Sequence, residues 1–217
     1  MTKDVILFDL DGTLTDPAPG ITNSLMYALR FFGIEIEDRT SLYKYIGPPL
    51  LETFAQGFNF NAEQSAQALK KYREYFSTTG LFENKVYSGI PELLQTLKDT
   101  GKKLLVATSK PEEYSVRILQ HFNLDRFFEN ICGSCMDESR SKKAEVIQYA
   151  LEKAAITDKS KVLMAGDRKH DIIGAKENGI ASCGVLYGYG SRQELEKAGA
   201  DFIAADIKEL EKIILTR

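Results

Sequence analysis

From Pro91 to the C-terminus the chain repeats one pattern, a short apolar run followed by an amphipathic stretch, and this repetition most limits the folds open to it. The apolar runs lie at 103–108, 131–133, 162–166, 183–187 and 202–205, with helical stretches at 112–122, 143–155 and 171–178 among them. Strands alternating with helices need crossovers between parallel strands, and such crossovers are right-handed. The expectation is an α/β chain with a doubly wound parallel sheet. One more strand, Val5-Ile6-Leu7-Phe8, stands apart near the N-terminus, and from about Pro17 to Thr79 strand signals stop. There Ile21, Leu25, Ala28, Leu29 and Phe32 recur at helical spacing, the turn Gly47-Pro48-Pro49 intervenes, and 62–76 carries a second long helical run. The expected organisation is a core of residues 1–16 and 85–217 with an all-helical insertion, a cap, at 17–84. Linkers fall near 15–20 and 83–89, and Gly89 is a plausible pivot.

At 217 residues the chain can bury a core without disulfide or metal staples. Its 28 Lys and Arg against 31 Asp and Glu give a net charge of -3, so no basic field advertises nucleic acid or an anionic membrane. The apolar runs are far too short to span a bilayer, and Met1-Thr2-Lys3-Asp4 leads into the first strand with no signal-peptide pattern. The expected address is the cytoplasm, and the expected partner is a small molecule bound by a monomer or homodimer. Three cysteines are too few for a disulfide framework. Cys132-Gly133-Ser134-Cys135 has redox spacing, yet it falls at a strand end rather than at the helix N-terminus that would stabilise a thiolate. With His121 and His170 scattered, no zinc cluster is expected. Gly188-Tyr189-Gly190 is half of a dinucleotide fingerprint without its third glycine, and reads as a loop.

The chemistry gathers where apolar runs end. Asp9-Leu10-Asp11-Gly12-Thr13 follows the first strand directly, and in an open parallel sheet the carboxyl edge is where ligands bind. One carboxylate there can attack phosphorus while the second, nearby, protonates the leaving oxygen. Two crowded anions also call for a divalent cation. Thr108, followed by Ser109, closes the run Leu104-Leu105-Val106-Ala107 with a hydroxyl and amides suited to phosphoryl oxygens. Lys143, or its neighbour Lys142, starts a helix where an ammonium can neutralise phosphoryl charge. Gly166-Asp167 ends another strand, and Asp171 lies one turn into the following helix. Asp9 and Asp167 make a hard oxygen site for Mg²⁺, while Asp171 also suits a helix N-terminus.

In these residues, taken in order, the chain resembles a haloacid-dehalogenase-superfamily phosphatase with a helical cap inserted after the first strand. That group includes phosphoglycolate phosphatases, beta-phosphoglucomutase and bacterial 5′-nucleotidases, and the resemblance covers essentially the whole chain. It implies a Rossmann-like core, Asp9 as nucleophile and metal ligand, and Asp11 as general acid and base with its carbonyl on Mg²⁺. It further implies Thr108 and Lys143 on the phosphoryl group and Asp167 and Asp171 at the metal. Ser141-Lys142-Lys143-Ala144 lacks the proline that often follows the family's lysine, so Lys142 stays an alternative. Gly12 and Ser109, and Arg73 on the long cap helix, are the expected substrate contacts; an amphipathic surface helix is the plainer account of Tyr72 and Arg73. Family members that cleave carbon–halogen or carbon–phosphorus bonds lack an acid at the position of Asp11. The implied reaction is therefore hydrolysis of a small phosphate monoester, phosphoglycolate or a 5′-nucleotide. A phosphosugar mutase and a non-catalytic phosphate sensor are the alternatives.

Overall fold

The structure, a computed structural model, describes residues 3–137 and 139–216. Its strands are β1 (Val5–Phe8), β2 (Thr15–Asp16), β3 (Lys85–Val86), β4 (Lys103–Pro111), β5 (Asn130–Ser134), β6 (Val162–Gly166), β7 (Ala181–Val185) and β8 (Phe202–Ala204). The helices that matter are α1 (Ala18–Phe31), α2 (Leu50–Glu52), α3 (Ala62–Tyr75), α4 (Ile90–Asp99), α5 (Glu112–His121), α6 (Lys143–Lys153), α7 (Lys169–Glu177), α8 (Arg192–Ala198) and α9 (Ile207–Thr216). Among the described residues no helix is long and apolar enough to cross a membrane.

Six strands form one parallel sheet in the order β5-β4-β1-β6-β7-β8. The doubly wound α/β fold is thus the observed one, and β1 sits at its centre because all four of its residues are apolar and buried. Alternate side chains go to opposite faces. Val5 and Leu7 join Leu105, Ala107, Val162 and Met164 in a core closed by Val146, Ile147 and Ala150 of α6. Ile6 and Phe8 are buried on the other face, where Phe8 meets Phe128 edge-on at 6.3 Å. Each such buried side chain contributes about 2 kcal/mol against exposure. The chain runs from β1 outward through β4 to β5, then returns to β6 on the other flank of β1. The carboxyl end of β1 is therefore the switch point of the sheet.

Two strands depart from the expected limits by more than one residue at an end. β7 begins at Ala181 and ends at Val185 rather than spanning 183–187. Its polar start is hidden from a hydrophobicity reading because Asp201 accepts from both the amide (2.8 Å) and hydroxyl (2.9 Å) of Ser182. β4 continues to Pro111 instead of stopping at Thr108, through an irregularity: Ala107 pairs with Cys132 but Pro111 with Ser134. Four steps on β4 oppose two on β5, so 108–110 bulge from the ladder.

The chain divides into two compact units, Met1–Asp16 with Val86–Arg217, and Pro17–Lys85. β2 and β3, which pair with each other, flank the helical insertion in sequence. The second unit is helical: α1 packs on α3, and an aromatic group of Phe32, Phe54, Phe58 and Phe60 fills its other end.

Candidate active site

Asp9 is the first residue beyond β1 and extends its ladder, its amide donating to Ala165 O at 2.9 Å. The chain then folds on itself, with the amides of Thr13, Leu14 and Thr15 all directed at Leu10 O. Gly12 makes this turn possible. Its φ of +82° lies in the left-handed region, and a Cβ there would collide with the Asp167 carboxylate. Its amide donates to Thr15 O at 2.7 Å. The structure therefore gives Gly12 a packing role in this turn.

Three carboxylates and one ammonium form the centre. Asp9, Asp167 and Asp171 are buried, and each offers an oxygen within 4.8 Å of the others. Lys143, the first residue of α6, places Nζ 2.8 Å from Asp9 Oδ1 and 2.8 Å from Asp171 Oδ1, and donates to Ala107 O at 3.1 Å. The ammonium thus sits between two carboxylates and a backbone carbonyl. Burial opposes the charge, but Asp171 and Asp9 more than offset it and hold the amine above the ordinary lysine value. Lys142 is exposed at the N-cap of the same helix, so of the two lysines the structure brings Lys143 to the acids.

Asp9 Oδ1 also accepts from Leu10 N at 2.7 Å. Asp167 Oδ2 accepts from Tyr189 N at 2.7 Å, and Thr13 Oγ1 stands 3.5 Å from Oδ1. Burial raises the Asp167 carboxyl well above its ordinary range, with Asp171 and Asp9 adding repulsion. Asp171 is the third residue of α7, where Oδ2 accepts from Arg168 N at 3.0 Å. It caps the helix and faces the lysine at once. Burial raises it to about 6 although Lys143 pulls the other way.

Asp11 lies apart from this trio and has its own cation. Its Oδ2 is 2.7 Å from Lys110 Nζ, with both side chains largely buried. Its Oδ1 is buried without a hydrogen-bond partner among the described residues. Burial raises the Asp11 carboxyl, Lys110 opposes that, and Asp9 adds to it. Lys110 was not among the expected site residues. The β4 bulge re-aims 108–110, and Pro111 disfavours helix at the residue before it, so an apparently solvated turn lysine reaches an acid on the neighbouring loop. Thr108 is buried at the start of the bulge, its Oγ1 accepting from Lys110 N at 3.3 Å, and Ser109 beside it is half-buried. Arg73 belongs to the helical unit, half-buried on α3. Its neighbour Tyr72 is a core residue of that unit, stacked on Phe76 at 5.3 Å.

Four carboxylates face two ammonium groups here, leaving a formal deficit of two positive charges, the charge of one divalent cation. The donors are oxygens, as hard cations require. The residues present fit such an ion.

An acid-lined switch point on a six-stranded parallel sheet, with an ammonium between two of the acids, marks an α/β protein with a site suited to phosphoryl chemistry. The chain belongs to the haloacid dehalogenase-like hydrolases, whose family model matches residues 6–185. It is an enzyme, a phosphatase of that family. It is 46% identical to a 5′-nucleotidase of Pseudomonas aeruginosa over 96% of this chain and 94% of that one. It is 38% identical to a tyrosine-protein kinase of Mycobacterium tuberculosis over 98% of this chain and 73% of that protein. Its fold matches the crystal structure of a predicted phosphatase from Clostridium acetobutylicum with a TM-score of 0.96 and 48% identity, covering 99% of both chains.

Proposed function

We propose that this protein hydrolyses small phosphate monoesters, a nucleoside 5′-phosphate first among them, through an aspartyl-phosphate on Asp9 and with Mg²⁺. The observation that carries the reading is the separation of two buried acids with different partners: Asp9 tied to Lys143, Asp11 tied to Lys110. Different environments push paired carboxylates toward different roles. Asp9 Oδ1 is held by Leu10 N and Lys143, leaving Oδ2 as the attacking atom. Attack forms the Asp9 Oδ2–P bond and breaks the ester P–O bond; the departing alkoxide takes a proton from Asp11, whose raised carboxyl suits an acid. Asp11 then takes a proton from water, which displaces Asp9 from phosphorus and releases inorganic phosphate. Lys143 and the Thr108 hydroxyl bind phosphoryl oxygens throughout. Asp9, Asp167 and Asp171, with the Asp11 carbonyl, would hold Mg²⁺, which would supply neutralisation of phosphoryl charge. In this reading the helical unit selects the leaving group, Arg73 among its contacts, and the enzyme is cytoplasmic.

The nucleotide preference rests on the name and near full-length similarity of the Pseudomonas aeruginosa relative. Phosphoglycolate is the next choice, after a Vibrio cholerae phosphoglycolate phosphatase 28% identical over 97% of this chain. The test is phosphate release from AMP, IMP, UMP, phosphoglycolate, hexose phosphates and p-nitrophenyl phosphate, with Mg²⁺ and with EDTA. Mg²⁺-dependent release is expected, and Asp9→Asn is expected to lower kcat by about 10³-fold or more while the protein stays folded. Failure to release phosphate from every ester sinks the hydrolase reading. Isomerisation of a hexose 1-phosphate with little phosphate released marks a mutase. Transfer of the ATP γ-phosphate to a tyrosine peptide, the activity named for the mycobacterial relative, also overturns hydrolysis as the main reaction.

A further inference from the structure

The segment Tyr187-Gly188-Tyr189-Gly190, which leaves β7, grips both acidic loops of the site. Tyr187 donates its hydroxyl to Thr13 O at 3.1 Å, and Tyr189 donates its own to Asp16 Oδ1. These bonds hold the two ends of the loop that follows Asp9 and Asp11. Between them the Tyr189 amide donates to Asp167 Oδ2 at 2.7 Å. The flanking glycines allow this approach: a Cβ at Gly188 would collide with Gly12 O and the Asp167 side chain, and one at Gly190 with Asp167 O. Tyr187 is further braced by Tyr87, ring to ring at 5.2 Å.

We infer that this segment is the positioning element of the metal centre. It fixes the orientation of the Asp167 carboxylate through one backbone donor, and its distance from the Asp9–Asp11 loop through the two tyrosine hydroxyls. Partners behind a ligand carboxylate set how well that ligand is presented, and their loss costs about tenfold to a hundredfold in metal affinity. The segment's bonds go to Asp167, Thr13 and Asp16, so its loss is expected to weaken metal binding and to spare turnover once the metal is saturating. The inference rests on the metal reading above.

The test is calorimetric titration of the folded protein with Mn²⁺. Gly188→Ala, which forces the segment off Asp167, is expected to raise the dissociation constant about tenfold or more, with kcat recovering at saturating metal. Leu210→Ala, in the buried face of α9, serves as a destabilised reference and is expected to leave the dissociation constant unchanged. Where Gly188→Ala does not fold, Tyr187→Phe decides, because it removes only the bond to Thr13 O; about threefold weaker binding is expected. Unchanged Mn²⁺ affinity in the folded variant, or equal weakening by Leu210→Ala, overturns the inference. A wild-type protein that binds no Mn²⁺ overturns the metal reading itself, and this inference with it.

Discussion

At the scale of single residues, Lys110 gives Asp11 a charge partner that its burial makes consequential. An exposed ion pair contributes little, but removing one member of a buried pair strands the other. Here the stranded group is the proposed acid and base. Lys110 pulls the Asp11 carboxyl down against burial, so replacing it lets that carboxyl rise further. The half-reaction that needs ionised Asp11 then needs a higher pH. Lys110→Met is accordingly expected to lower kcat about 10²-fold near neutral pH and to move the acid limb of the kcat profile upward. An unshifted limb in a folded, slowed variant removes Lys110 from control of Asp11. The positions of Asp9 and Asp167 were legible in sequence because each follows directly on an apolar run, and that of Asp11 because it lies two residues past Asp9. Lys110 was not, because a lysine just past the run that Thr108 closes reads as a solvated turn charge, and the bulge that turns it back onto Asp11 exists only in the register with β5.

Among elements, a strand's length was readable wherever its side chains did the burying, and unreadable where hydrogen bonds did. β1 and β6 are continuous apolar runs, and their limits follow from that alone. The Ser182 start of β7 is made buriable by Asp201, nineteen residues later in sequence, and no local pattern holds that information. The β4 bulge is equally silent, since it exists only in the register with β5. β5 also decides the fate of the two closely spaced cysteines. Cys132 is sealed inside the strand, where burial pushes its thiol up to about 11, and Cys183 in β7 goes to about 12 for the same reason. Neither supplies thiolate at neutral pH. Cys135, just past the strand, is half-buried. Ellman titration of the native protein is expected to label Cys135 and to reach Cys132 and Cys183 only on unfolding. Rapid labelling of two thiols, or a native Cys132–Cys135 disulfide, contradicts this placement.

For the whole molecule, the clustered acids tie folding stability to pH and, with the proposed cation, to metal. Asp11, Asp167 and Asp171 all have folded-state carboxyls raised chiefly by burial, so the folded protein holds their protons more tightly than the unfolded chain. Stability from these groups is fully present below the unfolded value of 3.8. It is lost as pH rises through the raised values, for Asp171 between 3.8 and about 6. The proposed divalent cation would reverse the sign, by binding the ionised carboxylates and competing with protons for them. The metal-dependent part of the melting temperature isolates this linkage, since titrations elsewhere on the protein cancel between the two samples. At about a hundred times its dissociation constant a ligand contributes about 2.7 kcal/mol, which for a chain of this size is about 5–10 °C. Scanning calorimetry with Mg²⁺ and with EDTA is expected to show that increment near pH 7.5, and about half of it or less near pH 5. Asp167→Asn is expected to abolish the increment at both. An increment as large at the lower pH as at the higher would mean that the cation binds elsewhere than at these buried carboxylates.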